Sequence, residues 1–323
     1  MTTGKIVVLG TGGTIAGKAG SAGDNIGYVA GQVGVRELLD AVPGLAQAAQ
    51  GPLLVEQVAQ IDSKNMDFAV WAALARRCRA YLEDDGVRAI VVTHGTDTLE
   101  ETAWLLHSVL DAHKPVVLTC AMRPATAIAP DGPQNLLDAL AVANAPGAHG
   151  VLSVCAGAVH GARQVQKVHP YRVNAFSSGE DGPLGWVEEG RVRLAQNWSQ
   201  AQAGWAQRAL ENSAFDGDWP RVEIVMNYVG ASGSTIDALV RDGVRGLVVA
   251  ATGNATLHHA LQAGLERAQQ AGLAVRLTTR CPLGRVLALP GSGTALPLAP
   301  GLVPVKARVS LMLELLGAQA PAP

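Results

Sequence analysis

Two threonine-centred loops carry residues whose types and spacing could do chemistry. Thr11-Gly12-Gly13-Thr14-Ile15-Ala16-Gly17 follows the apolar run Ile6-Val7-Val8-Leu9, and Thr93-His94-Gly95-Thr96-Asp97-Thr98 follows Ala89-Ile90-Val91-Val92. Each loop sits where a buried strand would end, and in α/β sheets ligands bind in the crevice outside the carboxyl ends of the strands. Two such loops are therefore expected to face one pocket. Threonines, glycines and an aspartate point to a hydroxyl nucleophile rather than to redox or metal chemistry.

A competing reading of the first loop is a phosphate cradle, since Gly12 to Lys18 satisfies G-x-x-x-x-G-K. The next residue is Ala19, where magnesium binding needs Ser or Thr, and Ala19-Gly20-Ser21-Ala22-Gly23 does not open a helix. A phosphate cradle needs a helix N-terminus behind it. The dinucleotide fingerprint fails too, because Ile15 stands at its third glycine. In the second loop, Gly95-Thr96-Asp97 precedes a helix starting near Leu99, whose free N–H groups would favour a carboxylate or an oxyanion. Thr96 or Asp97 could also serve as a plain N-cap, which does not exclude catalysis. The glycine-rich run after Thr14 ends at Tyr28 and reads as a lid, with a phenol able to donate or accept a proton.

The elements that must position these loops follow from hydrophobic periodicity. Short apolar runs at Lys5–Leu9, Leu53–Gln57, Ala89–Thr93, Pro115–Thr119 and Gly150–Val154 read as strands. Helices are predicted at Val33–Ala41, Met66–Tyr81, Leu99–Leu110 and Asp131–Ala143. In the second of these, Phe68, Trp71, Leu74, Cys78 and Tyr81 form a stripe at spacings of three and four, with Arg76, Arg77 and Arg79 off it. Alternation of strand and helix predicts a doubly wound, mostly parallel sheet. Trp186 to Leu194 reads as a hairpin turning at Glu189-Gly190. Residues 196–219 are polar and alanine-rich and are expected to link the domains. Strand–helix alternation resumes with Val222–Met226, Thr235–Asp242, Gly246–Ala250, Thr256–Gln270, Ala274–Thr278 and Val309–Leu316, and the tail Ala318–Pro323 carries no structural signal. The predicted organisation is a larger N-terminal α/β domain over 1–195, a linker over 196–219, and a smaller C-terminal α/β domain over 220–323.

Composition narrows the function. The 323 residues are nearly half apolar and carry a formal charge of −2, so no basic face for nucleic acid is expected. No apolar stretch approaches the ~18 residues of a membrane span. Met1-Thr2-Thr3-Gly4-Lys5 runs straight into the first strand, so no leader is expected and the cytoplasm is the predicted compartment. Cys78, Cys120, Cys155 and Cys281 form no C-x-x-C pair; the first three read as small buried hydrophobes, in keeping with a reducing compartment. His258 and His259 are adjacent, about 100° apart on a helix, and are not expected to share a metal.

The motifs taken together resemble the bacterial-type L-asparaginases, the asparaginase/glutaminase amidohydrolases. The matching segments are Thr11–Gly17, Tyr28–Val35, Asp62–Met66, Thr93–Thr102, Lys114–Pro124 with Asp131-Gly132-Pro133, Ala162–Lys167, Met226-Asn227-Tyr228 and Gly253-Asn254. The resemblance implies hydrolysis of L-asparagine to aspartate and ammonia through an acyl-enzyme, without a cofactor, with minor activity on glutamine. A related amidohydrolase of another ω-amide, and a nucleotide-binding module, are the alternatives. By resemblance Thr14 would be the nucleophile, activated by Tyr28, while Thr96, Lys167 and Asp97 form a second set in which a neutral lysine amine could take a threonine proton. Either threonine can be argued as the nucleophile. Gly13 and Thr96 N–H groups would form the oxyanion hole, Ser63 and Asp97 would hold the substrate's carboxylate and ammonium, and the Ala121 carbonyl the leaving amide. Family members place active sites between two chains, so a homodimer is the expected minimum and a tetramer the usual state.

Three departures from the family pattern surround the substrate's amino group. Lys64 stands where Gln or Ser is familiar, Gly230 where a partner chain supplies Asn or Ser, and the stretch from Gly284 to Ala295 holds no carboxylate. A weakened hold on the ammonium, and hence a raised KM, is the expectation.

Overall fold

A computed structural model describes residues 4–21, 23–198, 203–287, 296–299 and 301–319. Residues 288–295 of the carboxylate-free stretch, residues 199–202 of the expected linker and residues 320–323 of the tail lie outside the described residues. The chain divides into two compact units, residues 1–210 and 211–323.

The N-terminal unit is built on one eight-stranded sheet. Its strands are β1 (Lys5–Gly12), β2 (Leu53–Ile61), β3 (Val87–Thr93), β4 (Pro115–Thr119), β5 (Gly150–Cys155) and β6 (Ala158–Gly161), together with β9 (Gly185–Glu188) and β10 (Arg191–Leu194). A separate two-stranded ladder pairs β7 (Gln166–Lys167) with β8 (Phe176–Ser177). The spatial order is β10-β9-β6-β5-β4-β3-β1-β2. Strands β2, β1, β3, β4 and β5 are parallel, and β6, β9 and β10 continue the sheet antiparallel. The order 2-1-3-4-5 places the topological switch point between β1 and β3, where a doubly wound sheet opens a crevice. Both threonine loops leave the sheet there.

Helices α1 (Val35–Asp40), α2 (Leu45–Ala49), α3 (Phe68–Glu83), α4 (Leu99–Val109) and α5 (Gly132–Ala143) connect these strands. Central strands buried on both faces read as continuous apolar runs, as Ile6 to Leu9 and Ala89 to Val92 do. Asp67 caps α3 by accepting from Val70 N at 2.8 Å, which starts the helix two residues after the predicted point. Trp71, Leu74 and Cys78 are buried on its inner face, each large apolar side chain contributing about 1.5–3 kcal/mol. Arg77 lies off the stripe as expected, yet ion-pairs with Glu56 and so holds that carboxyl below its ordinary range. The β9–β10 hairpin turns through Glu189 and Gly190 with φ of 46° and 69°, the left-handed pair that a two-residue primed turn requires.

Within the expected linker, Gln207–Glu211 forms helix α6 and Ser213–Asp216 a 3-10 turn. The C-terminal unit holds a three-stranded parallel sheet, β11 (Val222–Met226), β12 (Gly246–Ala251) and β13 (Ala274–Thr279), with α7 (Ser234–Arg241), α8 (His259–Gln270) and α9 (Pro304–Gln319). Helix α8 starts three residues later than predicted, because Thr252 and Thr256 exchange backbone hydrogen bonds and His258 serves as N-cap, accepting from Ala260 N. The His258 and His259 rings consequently stack, 4.3 Å between centroids, rather than diverging around a helix.

Candidate functional site

Close approach of two glycine loops builds the site. Gly13 has φ of 82°, a left-handed conformation, and a Cβ there would fall on the Gly95 Cα. A Cβ at Gly95 would in turn fall on the Ser63 Oγ. Only glycine at both positions lets the ends of β1 and β3 and the 3-10 turn Ser63–Asn65 come together. Thr11 Oγ1 ties the two strand ends by donating to Thr93 O at 2.9 Å.

On the first loop, Thr14 opens a single 3-10 turn, Thr14–Ala16, and is buried. Its Oγ1 lies 2.7 Å from the Tyr28 hydroxyl. Tyr28 is carried by a segment that leaves at Lys18 and returns at Val29, closed by the reciprocal bonds Lys18 N to Val29 O (3.0 Å) and Val29 N to Lys18 O (2.9 Å). Asp24 accepts from Ile26 N and Gly27 N just before Tyr28, and these bonds hold its carboxyl below its ordinary value. No helix opens at Lys18, which pairs with Glu37 instead, so a phosphate cradle has no helix N-terminus behind it.

On the second loop, Lys167 Nζ donates to Thr96 Oγ1 at 2.8 Å and to Asp97 Oδ1 at 2.6 Å. The Lys167 side chain is 17% exposed and that of Asp97 49%. Asp97 Oδ2 has no partner among the described residues and is open to a ligand. Ser63 Oγ accepts from Asp97 N at 3.1 Å, which leaves its own proton to donate, and Thr98 Oγ1 fixes the Ser63 carbonyl at 2.9 Å. His94 is fully buried, its Nδ1 2.7 Å from Gly95 O; burial pushes its imidazole down to about 4 and keeps it neutral.

Of four further positions, Gly13 and Lys64 come out differently from expectation. The Gly13 N–H is already donated to Ile61 O at 2.8 Å, so it is not available to an oxyanion. The N–H groups of Thr14 and Thr96 have no partner among the described residues. Lys64 does not join the cluster: its side chain is 66% exposed and pairs with Asp62 at 3.1 Å. Gly230 lies on an exposed loop of the C-terminal unit with φ of 75°. Ala121 is buried, and its carbonyl has no partner among the described residues.

Sequence reasoning missed the brace around Ala121. Asp131 reads from the sequence as a helix start within a matching segment, and its carboxylate in fact accepts from Met122 N and Arg123 N at 2.9 Å each. Asn135, one turn on, donates to Cys120 O at 2.8 Å and accepts from Ala156 N at 3.0 Å. The signal was the spacing of four between Asp131 and Asn135 across the Gly132-Pro133 helix start. Cys78, Cys120 and Cys155 are buried and Cys281 exposed, all four free. Among the described residues no group of three or more His, Cys, Asp and Glu could hold a metal, and no helix is long and apolar enough to cross a membrane.

Comparison with known proteins adds the family. The model described as "Asparaginase, N-terminal" matches residues 5–200, and that of the "Glutaminase/Asparaginase C-terminal domain" matches residues 221–321. A hydrolase of α/β architecture, with an N- and a C-terminal domain, is the class that fold and matches define. L-asparaginase 2 of Bacillus subtilis is 37% identical over 96% of this chain and 82% of its own length. L-asparaginase 2 of Escherichia coli is 36% identical over 96% and 88%, and the glutaminase-asparaginase of Pseudomonas fluorescens 34% over 96% and 86%. A crystal structure of a probable cytoplasmic L-asparaginase from Campylobacter jejuni superposes with a TM-score of 0.88 at 37% identity, covering 97% of this chain and 95% of that one. The chain belongs to the L-asparaginase enzyme family.

Proposed function

We propose that the protein hydrolyses L-asparagine to L-aspartate and ammonia, with Thr14 as nucleophile. The observation that carries this reading is the 2.7 Å contact between Thr14 Oγ1 and the Tyr28 hydroxyl. Thr14 Oγ1 attacks the side-chain amide carbon while the Tyr28 hydroxyl accepts its proton and relays its own toward the amide nitrogen, and the developing oxyanion is met by the Thr14 and Thr96 N–H groups. Collapse breaks the C–N bond, ammonia leaves with the returned proton, and an ester on Thr14 remains. Water attacks that ester, its proton passing to the Thr96–Lys167 set and on to Thr14 Oγ1 as the ester bond breaks. Aspartate leaves and Thr14 is restored. This sequence needs no cofactor.

Asp97 Oδ2 receives the substrate's ammonium and Ser63 Oγ donates to its carboxylate, while the Ala121 carbonyl accepts from the departing amide nitrogen. Glutamine, one methylene longer, is a minor substrate. The relative from P. fluorescens is a glutaminase-asparaginase, so the preference rests on this chain's own pocket. We further propose that the chain works as a homo-oligomer, at least a dimer and usually a tetramer, in the cytoplasm, where its four free cysteines fit a reducing environment. Steady-state ammonia release from L-asparagine, L-glutamine and a panel of other ω-amides tests the assignment. Asparagine is expected to give the highest kcat/KM; turnover of another ω-amide with none of asparagine would replace it.

A further inference from the structure

A cavity of about 720 Å³ in the N-terminal unit lies apart from these residues. It falls in the size range of small-molecule sites, about 300–1,000 Å³. Helices α2 and α5, the β5–β6 turn and the tip of the β9–β10 hairpin border it, leaving it open to solvent on one side, and none of Thr14, Tyr28, Ser63, Thr96, Asp97 or Lys167 lines it. Ala48, Leu137, Ala141, Val173 and Val187 supply apolar walls.

The charged residues of the lining are all acidic: Asp131, Asp138 and Glu189, with no Lys, Arg or His. Asp131 is satisfied by the backbone of Met122 and Arg123. Asp138 is not. It is 3% exposed; one oxygen accepts from Gln134 Nε2 at 2.8 Å, and the other has no partner among the described residues. Among the described residues no cation pairs with it, and burial raises its carboxyl above the ordinary range. A buried carboxylate without a counter-charge is unfavourable until a cation is brought to it. Glu189, at the hairpin tip, is exposed and likewise has no ion-pair partner among the described residues.

We propose that this cavity is a second ligand site that takes an aliphatic diamine, one ammonium on Asp138, the methylenes along the apolar walls and the other ammonium at the Glu189 rim. The site is separate from asparagine hydrolysis and stands whether or not that reading does. Titration calorimetry of 1,4-diaminobutane into the full chain, with neutral 1,4-butanediol as control, tests it. The expected result is saturable one-to-one binding with a Kd on the order of 1 mM or tighter, and no binding of the diol. Asp138→Asn keeps size and the contact to Gln134, and is expected to weaken the diamine by about tenfold or more while asparagine turnover and Tm are retained. Should that variant fail to fold, Glu189→Gln on the exposed rim, with a smaller expected loss, serves instead. Thr14→Val is expected to bind the diamine like the parent chain. Absence of saturable binding, equal affinity in both acid-to-amide variants, or displacement of the diamine by L-asparagine would overturn the proposal.

Discussion

The two threonine loops differ in what holds them. Thr14 is met by Tyr28, fourteen residues on, from a segment anchored by the Lys18–Val29 bridge and by Ala19 N on Thr126 Oγ1. Thr96 is met by Lys167, seventy-one residues on, from the β7–β8 ladder, and its neighbours are tied to Ser63. One hydroxyl depends on a local, half-exposed segment and the other on long-range scaffold. Under the proposed mechanism this is a division of labour: a partner carried on a local segment can adjust as the covalent intermediate forms and breaks, whereas a long-range network holds a fixed geometry for oxyanion and water.

Substitutions that break one loop and spare the other sharpen that contrast. The largest effect is expected from Thr14→Val, which keeps shape and removes the proposed attacking oxygen; kcat should fall by about 10⁴-fold or more with Tm retained. Lys167→Met comes next. Loss of a general base costs about 10²–10⁴-fold in kcat, and the pH–rate profile should change with it. A Lys167→Met enzyme within a few-fold of the parent chain would mark that lysine as structural.

Stability separates the loops in a different way. His94 has its folded-state pKa depressed from 6.5 to about 4, so the unfolded chain binds the proton more readily between those values. Its contribution is present above pH 6.5 and is lost as pH falls toward 4, on the order of 3 kcal/mol. Thermal unfolding across that window should therefore show a shallower slope for His94→Gln than for the parent chain. The smallest effect is expected from Lys64→Gln. Because Lys64 pairs with Asp62 and points to solvent, KM for asparagine should stay within about twofold. A clear fall in KM would place its charge at the substrate.

Much of this organisation was legible in the sequence because buried parallel strands leave unbroken apolar runs and amphipathic α3 leaves a clear stripe. The strand ends, and hence the loops at the switch point, followed from those runs. The two-residue strands β7 and β8 hold too little pattern to register, and β6 went unread although β9 and β10, equally short, were marked by the Glu189-Gly190 turn between them. Lys167, on β7, came from resemblance and not from periodicity. The commitment of the Gly13 N–H to Ile61 could not be read either, because the direction of one N–H depends on a φ of 82° and on where β2 ends. The Asp131–Asn135 brace was hidden for a related reason: an aspartate at a helix start looks like a cap until its carboxylate is seen turned to the preceding loop.

Acid-quenched turnover of L-asparagine followed by proteolysis and mass spectrometry tests the central assignment most directly. The aspartyl ester is expected on the peptide that carries Thr14 and not on the peptide that carries Thr96. An ester on Thr96, or turnover by Thr14→Val at a near-normal rate, would contradict it.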